Sequence, residues 1–169
     1  MELISLERVA SHGGSLRGVA QIRGGPHKVQ SSVDQLAKEE IKVGLNNIGN
    51  LNRFSQKIEL CKQKLVKYLS ELKFRNKTIA AYGAPAKATT LMYHFEIGPH
   101  LIDFIVDDNS IKQGMYSPGM HIPIVSSDEI YENPPDAIII FAWNFSDSIV
   151  KNHKLYIEKG GEFLIPLPE

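Results

Sequence analysis

Thr78-Ile79-Ala80-Ala81-Tyr82-Gly83-Ala84-Pro85-Ala86-Lys87-Ala88 is the stretch that decides the fold. A short apolar run ends in a glycine and a proline, and the residues after Pro85 space their apolar side chains as a helix does over Ala86 to Phe95. Strand, tight turn, helix is the opening of a β-α-β unit. The pattern then repeats. Leu101 to Val106 is predicted as a second strand, followed by a turn-rich loop to Pro123 and a short strand at Ile124-Val125. A helix around Asp128 to Tyr131, capped by Ser126 or Ser127, precedes the run Asp136 to Ala142. That run is almost continuously apolar, as a strand buried on both faces should be. A helix from Phe145 to Lys159 and a last strand from Glu162 to Ile165 complete the series. Such alternation with short connections predicts a Rossmann-like, doubly wound parallel α/β sheet over 77–169.

Upstream the character changes. Between Ser32 and Asn47, Val33, Leu36, Ala37, Ile41 and Leu45 fall at helical spacing, with Ser32 placed to cap the first turn. From Leu51 to Leu72 the apolar residues Leu51, Phe54, Ile58, Cys61, Leu65, Tyr68 and Leu72 step by three and four, predicting a long helix with one packing seam, a candidate dimer contact. Cys61 lies on that seam and reads as a small core residue. Residues 24–76 are therefore taken as a linker and helices. In 1–23, two apolar runs, Leu3 to Val9 and Leu16 to Ile22, flank Ser11-His12-Gly13-Gly14-Ser15 and predict a β-hairpin. A two-stranded ribbon is marginal alone, so it should belong to a larger sheet.

Composition narrows the function classes. Nineteen basic residues balance nineteen acidic ones, which gives no electrostatic footprint for nucleic acid or a membrane surface. The longest apolar runs fall far short of a bilayer span, and Met1-Glu2-Leu3 does not begin a signal peptide. A single cysteine fits a reducing, cytoplasmic setting, and the six scattered histidines lack metal-ligand spacing, so no metal site is expected.

Residues with chemical potential gather where the predicted strands end. Gly83, Ala84, Pro85, Ala86 and Lys87 form the strand-to-helix turn at which this fold type places phosphate. Only Gly83 matches the dinucleotide fingerprint, since Pro85 and Ala88 stand at the later glycine positions. Pro85 suits a first helical position, and Lys87 offers a point charge. A ligand-free turn accounts for the same residues. Asp107 lies 24 residues beyond Gly83, where an acid can accept ribose hydroxyls, although an aspartate before Asp108-Asn109 can equally serve the loop itself. Lys112 and His121 belong to the following loop. Trp143 and Asn144 end the longest apolar run and could hold a base or sugar, or simply pack.

Taken together, Tyr82 to Lys87, Val106-Asp107, Lys112-Gln113-Gly114, Pro118-Gly119, His121 to Ile124, Ala142 to Phe145 and Gly160 to Phe163 with Pro166-Leu167-Pro168 resemble the C-terminal domain of S-adenosylmethionine-dependent sugar C-methyltransferases. His12 to Arg17 resembles the hairpin that closes their methyl-transfer domain. The chain departs from that pattern at Ala88 and Thr89, where Gly and Asn are usual, and at Asp108, where a basic residue is common. The resemblance implies an enzyme that deprotonates a nucleotide-linked 4-keto sugar, for instance a thymidine diphosphate conjugate, and methylates the enolate. It places the S-adenosylmethionine site, the general base and a zinc module upstream of the region corresponding to Ser11. No catalytic residue and no cofactor site is therefore expected in this chain, which looks like a fragment whose partner is the absent methyl-transfer domain. The implied role is substrate holding by Gly83 to Lys87, Asp107, Lys112, His121, Trp143 and Asn144. His12 and Arg17 would approach from the other side of the cleft, with Arg17 placed to meet a diphosphate. A stand-alone nucleotide-sugar sensing module and a purely structural dimerising domain are the alternatives. The His12 to Arg17 tract favours the methyltransferase.

Overall fold

The computed structural model describes residues 1–167, so Pro168 of the C-terminal motif lies outside the described residues. The chain divides into two compact units, Met1–Ile58 and the residues from Glu59 onward.

In the first unit β1 (Glu2–Val9) pairs antiparallel with β2 (Ser15–Gln21), as the hairpin reading predicts. The turn between them includes His12 at φ 56, a left-handed conformation. The hairpin does not pair with further strands among the described residues; it packs instead against α1 (Ser31–Val43). Ser32, expected as a helix cap, does something else. Its Oγ accepts the Leu6 amide at 3.1 Å, while the Gln30 amide donates to the Ile4 carbonyl and Arg8 meets Glu39. Gly24, His27 and Gln30 each donate a backbone hydrogen bond to hairpin residues, so this part of the linker lies along the hairpin.

The second unit contains the sheet. Its strands β3 (Ile79–Tyr82), β4 (Phe104–Val106), β5 (Ile124–Val125), β6 (Ala137–Ile140) and β7 (Glu162–Leu164) stand in the order β5-β4-β3-β6-β7, all parallel. The chain builds outward from β3 in one direction, then returns and builds in the other. With right-handed crossovers, that reversal puts the β3–β4 connection and the β6–β7 connection on opposite faces. Side chains alternate accordingly. Ala80, Tyr82, Val106, Ile138 and Ile140 pack with Ile130 of α4 (Glu129–Glu132), Ile149 of α5 (Ser146–Asn152) and Tyr156 of α6 (Lys154–Glu158). Ile79, Ala81, Ile105 and Ile139 face the other way and are fully buried on the side of α3 (Ala86–Phe95), whose Leu91, Met92 and Phe95 are buried too.

The long helix α2 (Ile48–Phe74) is present, and Ile58, Cys61, Leu65 and Leu72 of the predicted row are half-buried, but the row differs at other positions. Leu69, absent from the predicted row, is fully buried, whereas Tyr68 is exposed enough for its hydroxyl to reach Glu162 at 2.7 Å. Leu51 and Phe54, also in the predicted row, are exposed. Lys62 and Lys73 bind Glu96 and Asp103. Ile79 donates its amide to the same Asp103 carboxylate, and Asp136 does the equivalent for Thr78 and Lys77, so the amino-terminal ends of the strands are tied by carboxylates.

Two further differences matter for the site. Only Phe104–Val106 of the predicted Leu101 to Val106 strand is extended, because the Leu101 and Ile102 amides donate to the Gly98 carbonyl in a turn. The single helix expected over 145–159 is broken at His153 (φ −112, ψ 35) into α5 and α6.

Replacing the fully buried Leu69 by alanine should destabilise the second unit by about 2–5 kcal/mol, the usual range for such a truncation. The parallel Tyr68→Ala change should cost clearly less. Urea denaturation of the two variants is the measurement, and the predicted seam would give the reverse ranking.

Candidate functional site

In an open parallel sheet ligands bind outside the carboxyl ends of the strands where the strand order reverses. Here that point lies between β3 and β6, at Gly83 and Ala142. Gly83 has φ +86, and a Cβ built on it would stand 2.9 Å from the Ala142 Cβ, so both its conformation and its neighbour demand glycine. The Phe141 and Ala142 amides both donate to the Tyr82 carbonyl, closing the strand ends against each other. Beside them lies a shallow cleft of about 250 Å³ whose walls include Tyr82, Gly83, Asp108, Lys112 and Phe145.

Asp107 is mostly committed to the protein itself. Its Oδ2 accepts the Ala84 amide at 2.7 Å and the Lys112 ammonium at 2.9 Å, and its Oδ1 accepts the Asn109 amide at 2.9 Å. Burial alone would raise its pKa. The lysine and the two amides outweigh burial and hold the carboxyl below its ordinary value. Lys112 also donates to the Ala84 carbonyl at 3.1 Å. The expected ribose ligand and the expected loop cation are therefore one latch across the turn. Gly83 donates its amide to the Val106 carbonyl, so the Gly83 and Ala84 amides are internal as well, not a phosphate cradle. Pro85 precedes the helix as its N-cap rather than occupying the first helical position. The first-turn amides of Ala86 and Lys87 lie beyond the intrahelical ladder, the arrangement that favours an anion.

Lys87 and Trp143, 56 residues apart, are brought together: the ammonium stands 3.9 Å from the indole centroid. Burial against the ring pushes the Lys87 pKa down. Trp143 and Asn144 sit on a 3-10 turn, Trp143–Phe145, directly after β6, with Trp143 half-buried and Asn144 exposed.

His121 is not part of this group. It precedes β5, in a turn where Gly119 packs against the Tyr93 hydroxyl near the C-terminus of α3, and so lies at the amino-terminal edge of the sheet, opposite the cleft. The loop from Lys112 runs antiparallel along the edge strand β5, which its sequence does not reveal. His12 and Arg17 belong to the first unit. Arg17 is paired with Glu7 across the hairpin at 2.5 Å, so its charge is already compensated.

Sequence reasoning missed Asp108, Tyr131 and His153. The Tyr82 hydroxyl donates to Asp108 Oδ2 at 2.8 Å and lies 3.1 Å from His153 Nε2, while His153 Nδ1 is 2.8 Å from the Tyr131 hydroxyl. Burial lowers the His153 pKa against the opposing pull of Asp108, and burial with the Asp108 hydrogen bond raises that of Tyr82. No spacing links these residues; only the break between α5 and α6 brings His153 to the end of β3. Among the described residues no cluster of His, Cys, Asp or Glu could hold a metal, and no helix is long and apolar enough to cross a membrane.

Residues 10–168 match the family model described as the C-methyltransferase C-terminal domain. The chain belongs to that family. It is also 30% identical over 169 residues to the C-methyltransferase NovU of Streptomyces niveus, a match covering all of this chain and 40% of that protein. Membership in the C-methyltransferase C-terminal domain family fits a parallel sheet preceded by a hairpin, and it bears out the resemblance to the C-terminal domain of C-methyltransferases. The chain spans about two fifths of the length of the curated relative it matches.

The latch gives a prediction with a definite sign. A carboxyl held below its unfolded pKa of about 3.9 contributes stability that is fully present above that value and is lost as pH falls through the lower folded value. Asp107→Asn should therefore lower stability by about 1.5–3 kcal/mol at neutral pH, the range for hydrogen bonds to a charged group. The gap from the parent should close below about pH 4. Urea melts between pH 2.5 and 7 measure it; a gap constant with pH would mean that the charge of Asp107 is not what matters.

Proposed function

We propose that this chain is the nucleotide-sugar-holding part of an S-adenosylmethionine-dependent sugar C-methyltransferase, with the methyl-transfer chemistry carried by a partner domain. The observation that carries the reading is the convergence of three strand ends on one cleft. The Gly83 turn follows β3, Asp108 and Lys112 follow β4, and Ala142 and Phe145 follow β6; at the same carboxyl edge Lys87, at the start of α3, meets Trp143. A helix N-terminus and a movable ammonium suit a diphosphate, an indole suits a base, and a carboxylate suits hydroxyls. A nucleoside diphosphate sugar combines all three. Asp107 serves this reading by shaping the turn rather than by touching the ligand.

The partner in this reading is the methyl-transfer domain, which would carry S-adenosylmethionine, the general base and zinc. Supporting it, the match covers only 40% of the relative's length. The first unit also exposes Leu3, Leu16, Val19 and Ile22 along the hairpin and has a groove of about 690 Å³ whose walls include Leu16, Leu36, Val43 and Leu45. These are surfaces that a further domain would bury.

Titration with thymidine diphosphate glucose should change Trp143 emission saturably, because a ligand at the indole displaces Lys87 from the ring. Lys87→Ala should weaken that binding by about 1.5–3 kcal/mol. Calorimetry with millimolar S-adenosylmethionine should give no saturable heat. Confirmed binding with unchanged emission would move the ligand away from Trp143, and saturable cofactor heat would overturn the division of labour.

A further inference from the structure

We infer that Asp108 is the residue that selects a hydroxyl-bearing sugar in the cleft, and that Tyr82, His153 and Tyr131 form a one-way hydrogen-bond relay that holds it for that task. The inference rests on the nucleotide-sugar reading and deepens it by naming the residue and the chemical group it recognises, a pair of adjacent hydroxyls.

Asp107 and Asp108 differ in what remains open. Asp107 is buried with both oxygens engaged by Ala84, Asn109 and Lys112. Asp108 is exposed at the wall of the cleft, and Tyr82 is bound to its Oδ2. Held on one oxygen, its carboxylate turns acceptor capacity toward the cleft, and an ionised carboxylate accepts only. Adjacent hydroxyls, two donors in fixed register, match that capacity. A phosphate oxygen does not.

The relay has a direction, which follows from elimination. Tyr82 can satisfy Asp108 only by donating its single proton to Oδ2. Its oxygen must then accept from His153 Nε2, 3.1 Å away, so Nε2 carries the proton. Neutral His153 must in turn accept at Nδ1 from the Tyr131 hydroxyl at 2.8 Å. The opposite tautomer would require Tyr82 to donate to His153 and would leave a phenolic lone pair against a carboxylate. Every O–H and N–H in the series thus points toward Asp108. The aromatic contacts keep the ring in place, since His153 lies edge-on to Tyr82 at 5.2 Å and stacks on Tyr131 at 5.8 Å. His153 and Tyr131 are positioning residues, because neither lines the cleft; Tyr82 does line it, and its hydroxyl is engaged by Asp108 and His153.

Four probes separate the sources of adjacent hydroxyls: thymidine diphosphate has none, uridine diphosphate has them on ribose, thymidine diphosphate glucose on the hexose, and uridine diphosphate glucose on both. Calorimetry on the full chain should show Asp108→Asn weakening binding about tenfold, the equivalent of 1.4 kcal/mol, for one or both diol sources while thymidine diphosphate stays within about twofold. Loss confined to the uridine pair assigns Asp108 to ribose; loss with both glucose conjugates assigns it to the hexose. Tyr82→Phe should weaken the same probes about threefold, and its effect should vanish in the Asp108→Asn background, as coupling through one residue requires. Nitrogen NMR of His153 should find the proton on Nε2. Equal weakening of all four probes, an unaltered Asp108→Asn, a Tyr82→Phe effect that persists without Asp108, or a proton on Nδ1 would each overturn the relay. If the parent chain binds none of the probes, the nucleotide-sugar reading itself fails, and the relay fails with it.

Discussion

The Asp107 carboxylate ties the ends of two neighbouring strands into one surface. It gathers the Ala84 amide from the turn after β3, the Asn109 amide from its own loop and the ammonium of Lys112, which bonds back to the Ala84 carbonyl. A buried charge is tolerable only when its acceptor sites are met, and this one is met by three donors. The Gly83 turn keeps its shape because of that tie, α3 starts where the turn directs it, and Lys87 is delivered to Trp143. If the tie is lost, the cleft loses the wall that sets its geometry.

The sheet was legible because burial on both faces leaves a compositional trace. Asp136 to Ala142 could hardly be anything but a central strand, and Gly83 could hardly be anything but a sharp turn. Edges were less legible. Leu101 and Ile102 are as buried as strand residues, yet their amides close a turn on Gly98, and apolar composition cannot distinguish the two. One step of the α2 seam, at Tyr68 and Leu69, was misread for a related reason. Tyr68 and Leu69 are both apolar enough to sit on a seam, and the choice is made by Glu162 and Asp103, acidic residues far away in sequence that fix which side turns inward.

Within the site, the sequence revealed the positions that depend on strand ends: Gly83, Lys87, Asp107 and Trp143 all lie where the pattern places them. Their roles were harder to read, because a role depends on what is left over once internal partners are counted. Asp107 and Asp108 are adjacent and chemically identical, and only the geometry shows that one faces in and the other out. His121 was drawn into the site by a motif match, although its loop ends at the opposite edge of the sheet. His153 carried no signal at all, since a helix break cannot be seen in the uninterrupted helical pattern of residues 145–159.

The contact between Lys87 and Trp143, at the same carboxyl edge of the sheet as the cleft, has a consequence for what the indole can receive. The indole is not a vacant shelf; a cation already lies 3.9 Å from its centroid. An incoming flat ring can occupy that side only by exchange, evicting an ammonium that then requires new company. A neutral aromatic molecule evicts it and offers nothing in return, whereas a ring tethered to an anion supplies the evicted charge with a counterion in the same step. In the proposed reading, the pair favours an aromatic group that arrives joined to an anion over a neutral ring arriving alone. Discrimination of that kind needs no extra contact, only an occupied resting state.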